Sequence, residues 1–241
     1  MNRLLAAMKM DVRLQVRTQL YSIGIGAGLL VAVALAWLAR PEQLFSLIPT
    51  LMLLVVGGST MLYVAAMILF EKEQGTLKAT IVSPVRPSEY LWAKIITLTG
   101  LATLESLVMV GGAMLIMSFA DEVTLPNIPL LLLGIVGIGI IYTLVGIVLI
   151  VRYDKITEFL IPLSAVAVVL QLPFLYFLGW VEHPLFLLIP TSAPTLLMRA
   201  AYGPLADWQW LYGVGYTAVL IIALTIWAHR AFEAHIIAKG G

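Results

Sequence analysis

Two neighbouring glutamates, Glu71 and Glu73, are the first residues whose type and spacing could support chemistry. A pair of carboxylates can act as general acid and general base on one substrate atom. On a continuous helix, however, residues two apart point about 200° away from each other. The pair is therefore not expected to form an active site, and no catalytic residue is assigned.

The chain also lacks the residues that would bind a nucleotide or activate a thiol. No cysteine is present, which excludes disulfides, thiolate metal sites and cysteine nucleophiles. No lysine lies between a glycine and a hydroxyl residue, so the Gly-Lys-Ser/Thr ending of a Walker A loop is missing. If ATP is used, another chain must bind it, and no cofactor is expected on this one.

The composition identifies the elements that must position any functional residue. Hydrophobic residues make up 61% of the 241 positions and charged residues only 11%, whereas a soluble domain has about 25% charged residues. Six apolar runs are each long enough to cross a bilayer as a helix. They lie at 18–39, 46–70, 95–119, 127–151, 159–180 and 208–228. The sequence predicts an all-α integral membrane protein with six transmembrane helices.

The basic residues predict the orientation of these helices. Of the 14 lysines and arginines, only Arg40 and Arg199 fall on the side opposite the termini, which leaves 12 on the terminal side. The positive-inside rule therefore places both termini in the cytoplasm of a cell-membrane protein. This topology places His183 on the side opposite His229 and His235. The latter two are six residues apart and lie on different faces of one helix, so no metal site is expected.

Residues 1–17 have the pattern of a helix lying at the inner membrane surface. Basic residues recur every four positions, at Lys9, Arg13 and Arg17. Apolar residues occupy another face, at Leu5, Met8, Val12 and Val16. Such a helix is either a generic membrane anchor or an anchor that also contacts a cytoplasmic partner.

The region 71–94, between the second and third apolar runs, has the pattern of a docking element. Gly75 offers a break after the second run, Thr76 can cap a new helix and Pro84 must end it. Pro87 and Glu89 suit the start of the next helix. The short helix 77–83 would present apolar side chains, among them Leu77 and Ile81, to a groove on another protein.

Two further features belong to the membrane. The segment 182–207 is apolar but contains four prolines, so it is expected to enter the outer leaflet and return. Glu105 is the charge that stands out within a span, where a carboxylate marks either a pathway or a helix contact. Tyr63, Gln171 and Tyr176 are further candidates for lining a pathway, although such residues also simply pack.

The stretch "FEKEQGTLKATIVSPVRPSEYLWAKI" resembles the loop after the second span in ABC-2 type permeases, the transmembrane subunits of ABC exporters. Its order of Glu-Lys-Glu, Gly-Thr-Leu, Ser-Pro and a following helix with a lysine matches that family. The six spans, the basic N-terminus and the proline-rich segment extend the likeness over 1–241 as a single domain. "RLQVRTQLY", "EYLWAKI" and "LFLLIPTSAPTLLMRAAYG" resemble the fluoroquinolone export permease type.

The resemblance implies an ATP-driven exporter for a drug-like or amphipathic substrate. It implies a separate ATP-binding subunit and a second permease subunit, the same or a related chain, with membrane lipids around them and no nucleic-acid partner. It places the coupling to the ATP-binding subunit on Glu71, Glu73, Gly75, Thr76, Leu77, Ile81 and Pro84. The substrate path would run between the permeases, along the second and fifth spans.

Two other classes of function stay open at this point. A secondary transporter would use Glu105 as its proton carrier, and an ion gradient alone would then drive transport. An intramembrane enzyme acting on lipids would need a catalytic constellation that the sequence does not display.

Overall fold

The computed structural model describes residues 3–75, 86–119 and 125–237. Within these ranges the chain is helical and contains no strand. We number the helices as α1 (Arg3–Arg17), α2 (Leu20–Leu38), α3 (Leu44–Glu73), α4 (Pro87–Met117), α5 (Ile128–Ile150), α6 (Ile156–Gln171), α7 (Phe174–Phe177), α8 (Ser192–Ala200) and α9 (Asp207–Ile236).

Six helical segments are long and apolar enough to cross a membrane, as the sequence predicts. They are α2, α3, α4, α5, the segment Thr157–Phe177 formed by α6 and α7, and α9. Because six crossings are an even number, both ends of the chain then lie on one side. We call that side the terminal end of the molecule and the other side the opposite end.

Helix α4 begins as its sequence predicts, but earlier than the apolar run suggests. Pro87 occupies the first turn, and the Glu89 carboxylate accepts a hydrogen bond of 2.8 Å from the Arg86 backbone N–H. The apolar run begins near 95, whereas the helix begins at Pro87. Lys94, which precedes this apolar run in the sequence, therefore lies inside the helix and is buried.

Helix α5 forms the centre of the bundle and packs against α3, α4, α8 and α9. Glycines allow the close approaches. A Cβ on Gly57 of α3 would lie 2.2 Å from Cζ of Tyr142, and one on Gly134 would lie 2.3 Å from Cγ of Met198 in α8. Such contacts cannot accommodate a methyl group, so small residues set the helix spacing, as is usual between membrane helices.

Helix α3 is continuous but contains a π-helical turn at Met52–Val56. A π-turn inserts a residue into the helical ladder and redirects carbonyl groups, and it occurs often at functional sites. Two of these carbonyls receive side-chain donors. Tyr142 Oη donates to the Leu53 carbonyl at 3.2 Å, and Gln171 Nε2 donates to the Leu54 carbonyl at 3.1 Å.

The chain between α7 and α9 forms short elements rather than a seventh span. A 3-10 turn at Pro184–Leu188 precedes α8, and side chains fix both to their neighbours. Thr191 Oγ1 donates to the Leu170 carbonyl at 2.5 Å, and Tyr216 Oη donates to the Leu188 carbonyl at 2.6 Å. The proline-rich segment 182–207 is thereby held against the ends of α6 and α9.

Candidate functional site

Three charged side chains from three helices meet in a buried cluster at the terminal end. Lys94 of α4 forms ion pairs with Asp11 of α1 and with Glu71 of α3, the latter at 2.6 Å between Nζ and Oε1. The residues are only 1%, 4% and 5% exposed, respectively. We call this trio the buried charge cluster. One ammonium thus holds two carboxylates from separate helices.

Neutral donors surround the buried charge cluster and satisfy its remaining oxygens. Tyr90 Oη donates to Glu71 Oε2 at 2.5 Å, and Thr97 Oγ1 donates to Asp11 Oδ2 at 2.6 Å. Gln15 Nε2 in turn donates to Thr97 Oγ1 at 3.1 Å. Buried charges persist only when they are paired and hydrogen-bonded, and these contacts meet that requirement.

Aromatic packing connects the cluster to a fourth helix. The Tyr90 ring stacks on Phe232 of α9 with centroids 5.3 Å apart, and Lys94 Nζ lies 5.3 Å from the Tyr90 centroid. The C-terminal part of α9, the start of α4, the end of α3 and helix α1 therefore form one packed unit.

The end of α3 separates its two glutamates, as their spacing predicts. Glu71 faces the cluster, whereas Glu73 is exposed. Lys72, between them, donates to the Tyr153 carbonyl at 2.6 Å and pairs with Asp154 at 3.2 Å. Gly75 follows with φ of +69°, a conformation that favours glycine.

The docking helix expected at 77–83 lies outside the described residues. The same is true of Thr76, Leu77, Ile81 and Pro84. What the structure describes is the helix end that leads to this segment and the beginning of α4 that follows it. Both belong to the packed unit around the buried charge cluster.

Helix α1 buries polar rather than apolar side chains against α4. Asp11 and Gln15 are its buried residues, while Leu5 and Val16 are 57% and 59% exposed. The basic residues Lys9, Arg13 and Arg17 are exposed as well. The outward surface of α1 therefore carries both apolar and basic side chains.

Within the span region, Glu105 and Tyr63 come together beside α2. The Glu105 carboxylate accepts hydrogen bonds from Ser59 Oγ at 2.9 and 3.1 Å. A Cβ on Gly24 would lie 3.2 Å from the Tyr63 hydroxyl and 3.5 Å from Glu105 Oε2. These groups form a polar contact among α2, α3 and α4.

The other two pathway candidates lie elsewhere. Gln171 binds the π-turn of α3 from α6, and a Cβ on Gly58 would lie 3.3 Å from its Nε2. Tyr176 lines a cavity of about 590 Å³ at the opposite end. The four residues therefore occupy three separate positions, two of them against α3.

The cavity at the opposite end combines a cation with aromatic side chains. It lies between the beginnings of α3 and α9, α7 and its following turn, and α8. Arg199 contributes the cation, and its guanidinium carbon lies 4.1 Å from the ring centroid of Phe45. Burial lowers the pKa of Arg199 from its usual value, yet an arginine keeps its charge at neutral pH.

No metal centre is evident in the ranges that the structure describes, where no group of three or more histidine, aspartate and glutamate residues could hold an ion. The histidines make local contacts instead. His183 Nδ1 accepts from the Leu185 backbone N–H at 3.3 Å, and His229 Nδ1 lies 2.9 Å from the Thr225 carbonyl.

Sequence reasoning missed Asp11 and Lys94, the residues that complete the buried charge cluster. The charge pattern places Lys94 with the basic residues between the second and third apolar runs, whereas the structure buries it within α4. A usable signal was present, because Asp11 is the only acidic residue before Glu42 and interrupts a helix with basic and apolar faces. An isolated acid of this kind indicates a specific basic partner.

Comparisons with known proteins agree over the whole chain. Residues 2–240 match the model of the fluoroquinolones export permease protein family. Two curated relatives, each named a fluoroquinolones export permease protein, come from Mycobacterium tuberculosis strains CDC 1551 / Oshkosh and ATCC 25618 / H37Rv. Each is 30% identical over 251 aligned positions, which cover 100% of this chain and 99% of the relative.

Proposed function

The chain belongs to the fluoroquinolones export permease protein family, within the ABC-2 type permeases, and we propose that it is the permease subunit of an ATP-driven exporter. It pairs with a second permease, identical or related, and with a separate subunit that binds ATP. It lies in the cell membrane with both termini in the cytoplasm. Its substrate is a drug-like amphipathic compound, in keeping with the names of its relatives.

The buried charge cluster is the observation that carries this proposal. It joins α3 and α4 at Glu71 and Lys94, on either side of the segment 76–85, and connects both to α1 through Asp11. Lys94 is the cation shared by both carboxylates, and removing such a partner leaves uncompensated buried charge at a cost of about 3–5 kcal/mol. The three helices are therefore expected to move together when a partner displaces the intervening segment.

We infer that the coupling surface lies next to the buried charge cluster. Glu73 and Gly75 lead into the docking helix 77–83, which is delimited by Thr76 and Pro84 and contributes Leu77 and Ile81. Helix α1 lies at the inner membrane surface. Its exposed basic residues Lys9, Arg13 and Arg17 contact anionic headgroups and the edge of the ATP-binding subunit.

The substrate path runs along α3 and α6, next to the second permease. Helix α6 supports this, because much of its surface faces away from this chain, with Ile161 79% and Val168 59% exposed. Gln171 and Tyr63 lie on the two sides of α3 that border α6 and α2, and the Glu105 carboxylate lies beside Tyr63. The segment 182–207 dips into the outer leaflet and covers the exit.

Substrate uptake into inside-out membrane vesicles tests the proposal. Vesicles that contain the permease and its co-purifying ATP-binding subunit should accumulate a fluoroquinolone only with hydrolysable ATP. Glu71→Gln should reduce this uptake about tenfold or more, because it removes one of the two charges that Lys94 binds. The exposed Glu42→Gln at the opposite end is the matched control and should retain uptake.

Three results would contradict the proposal. Uptake driven by a proton gradient without ATP would instead support a secondary transporter that uses Glu105. Lipid modification by the purified chain alone would support an enzyme. Equal uptake by the Glu71→Gln and wild-type proteins would remove the coupling role of the cluster.

A further inference from the structure

We propose that the cavity at the opposite end is a binding site for an aromatic carboxylate, with Arg199 as the anchor of the carboxylate group. The cavity encloses about 590 Å³, within the range of roughly 300–1,000 Å³ typical of small-molecule sites. The role of this cavity rests on the proposed function, because in an exporter it would be the site from which the exported compound leaves. The binding itself is a property of this chain.

Arg199 has the features of an unfilled anion site. Its Nε atom is buried and has no hydrogen-bond partner among the described residues. None of the ion pairs in the described ranges involves it. A carboxylate that enters the cavity would supply the counter-charge that Arg199 lacks among the described ion pairs.

The surroundings of Arg199 favour an aromatic ligand. The guanidinium carbon of Arg199 lies close to the Phe45 ring, so the cation already contacts an aromatic side chain in the cavity lining. Tyr176 and Trp208 also line the cavity and offer ring surfaces for stacking. A lipid phosphate would use the cation but would have no use for these rings.

One acidic residue in the lining predicts in which direction a substitution should change carboxylate binding. Glu182 is exposed and lines the same cavity. Its negative charge opposes a bound carboxylate at long range. Glu182→Gln should therefore maintain or strengthen binding of a simple aromatic carboxylate, whereas a site that only depends on intact local structure would show no such preference.

Equilibrium binding of 2-naphthoate to the purified permease in phosphatidylcholine nanodiscs, without an ATP-binding subunit, tests this site. The neutral 2-naphthylmethanol serves as the matched ligand. Arg199→Gln should weaken 2-naphthoate binding about tenfold or more. The exposed Arg40→Gln, at the same end of the molecule, should bind like the wild type.

The outcomes are decisive in either direction. Three results would overturn the site. They are equal binding of the two ligands, an equal loss of 2-naphthoate binding in Arg40→Gln and Arg199→Gln, and weaker 2-naphthoate binding in Glu182→Gln. Loss of 2-naphthoate binding on adding phosphatidylglycerol would assign the cavity to anionic lipid instead. Because binding is measured without ATP, a failure of ATP-driven uptake with intact 2-naphthoate binding would overturn only the proposed transport function.

Discussion

At the scale of single residues, Lys94 connects three helices at the terminal end, α1, α3 and α4. It is the shared ion-pair partner of two buried carboxylates, those of Asp11 and Glu71. Pairs of this kind add little net stability compared with apolar packing, but they tolerate the loss of one member poorly. The cluster therefore makes the positions of α1, α3 and α4 interdependent.

Lys94→Met should lower the stability of the protein by about 3–5 kcal/mol, because two carboxylates then remain buried side by side without a cation. Thermal unfolding of the detergent-solubilised permease measures this loss. The exposed Lys155→Met removes the same charge outside the cluster and should unfold near the wild-type temperature. Equal unfolding temperatures for the two variants would show that the ion pairs do not stabilise the fold.

At the scale of helices, α3 connects the two functional ends of the molecule. It begins with Phe45 in the cavity lining and ends with Glu71 in the buried charge cluster. Its 30 residues span about 45 Å, with the π-turn at Met52–Val56 in between. Tyr142 of α5 and Gln171 of α6 donate hydrogen bonds to that turn. A displacement of α3 would therefore alter its contacts with both neighbouring helices.

Gly57→Ala should destabilise the contact between α3 and α5 by about 1–3 kcal/mol, because the new methyl group would meet the Tyr142 ring. Thermal unfolding again gives the measurement. Gly100→Ala, where a Cβ meets nothing within 4 Å, is the control and should not lose stability. In a double-mutant cycle, Gly57→Ala should cost less stability when Tyr142 is replaced by valine than when the tyrosine is present, and an equal cost in both backgrounds would contradict the packing described for this glycine.

The helices themselves could be predicted from the sequence to a large extent. The apolar runs locate the six spanning segments, and Pro87 with Glu89 marks the start of α4. The position of Lys94 could not be read in the same way, because hydropathy assigns every lysine to water unless its partners are known. Asp11 lies 83 positions away in the chain, so only the tertiary structure brings the pair together.

The π-turn and the cavity were also beyond sequence reasoning. The residue types of Met52–Val56 do not distinguish a π-turn from an ordinary apolar helix, because the hydrogen-bond donors to this turn come from Tyr142 and Gln171. Arg199 was noted only as an exception to the charge distribution. Its role depends on Phe45 and Tyr176, which other parts of the chain bring to it.

At the scale of the whole molecule, the two ends of the protein differ in charge and in structure. The terminal end carries the buried charge cluster and 12 of the 14 basic residues in the topology derived from the sequence, and the opposite end carries Arg40, Arg199 and the cavity. In the proposed exporter, we expect ATP hydrolysis by the partner subunit to act on the terminal end and the substrate to leave at the opposite end. This division requires the terminal end to face the cytoplasm.

Single cysteines test this orientation directly, because the natural chain contains none. A membrane-impermeant maleimide added to intact cells should label Arg40→Cys and leave Lys155→Cys unlabelled, since both positions are exposed but lie at opposite ends. Lysis before labelling should make both react, which controls for accessibility. Labelling of Lys155→Cys in intact cells would place the basic end outside, and the ATP-binding subunit could then not reach α3 and α4.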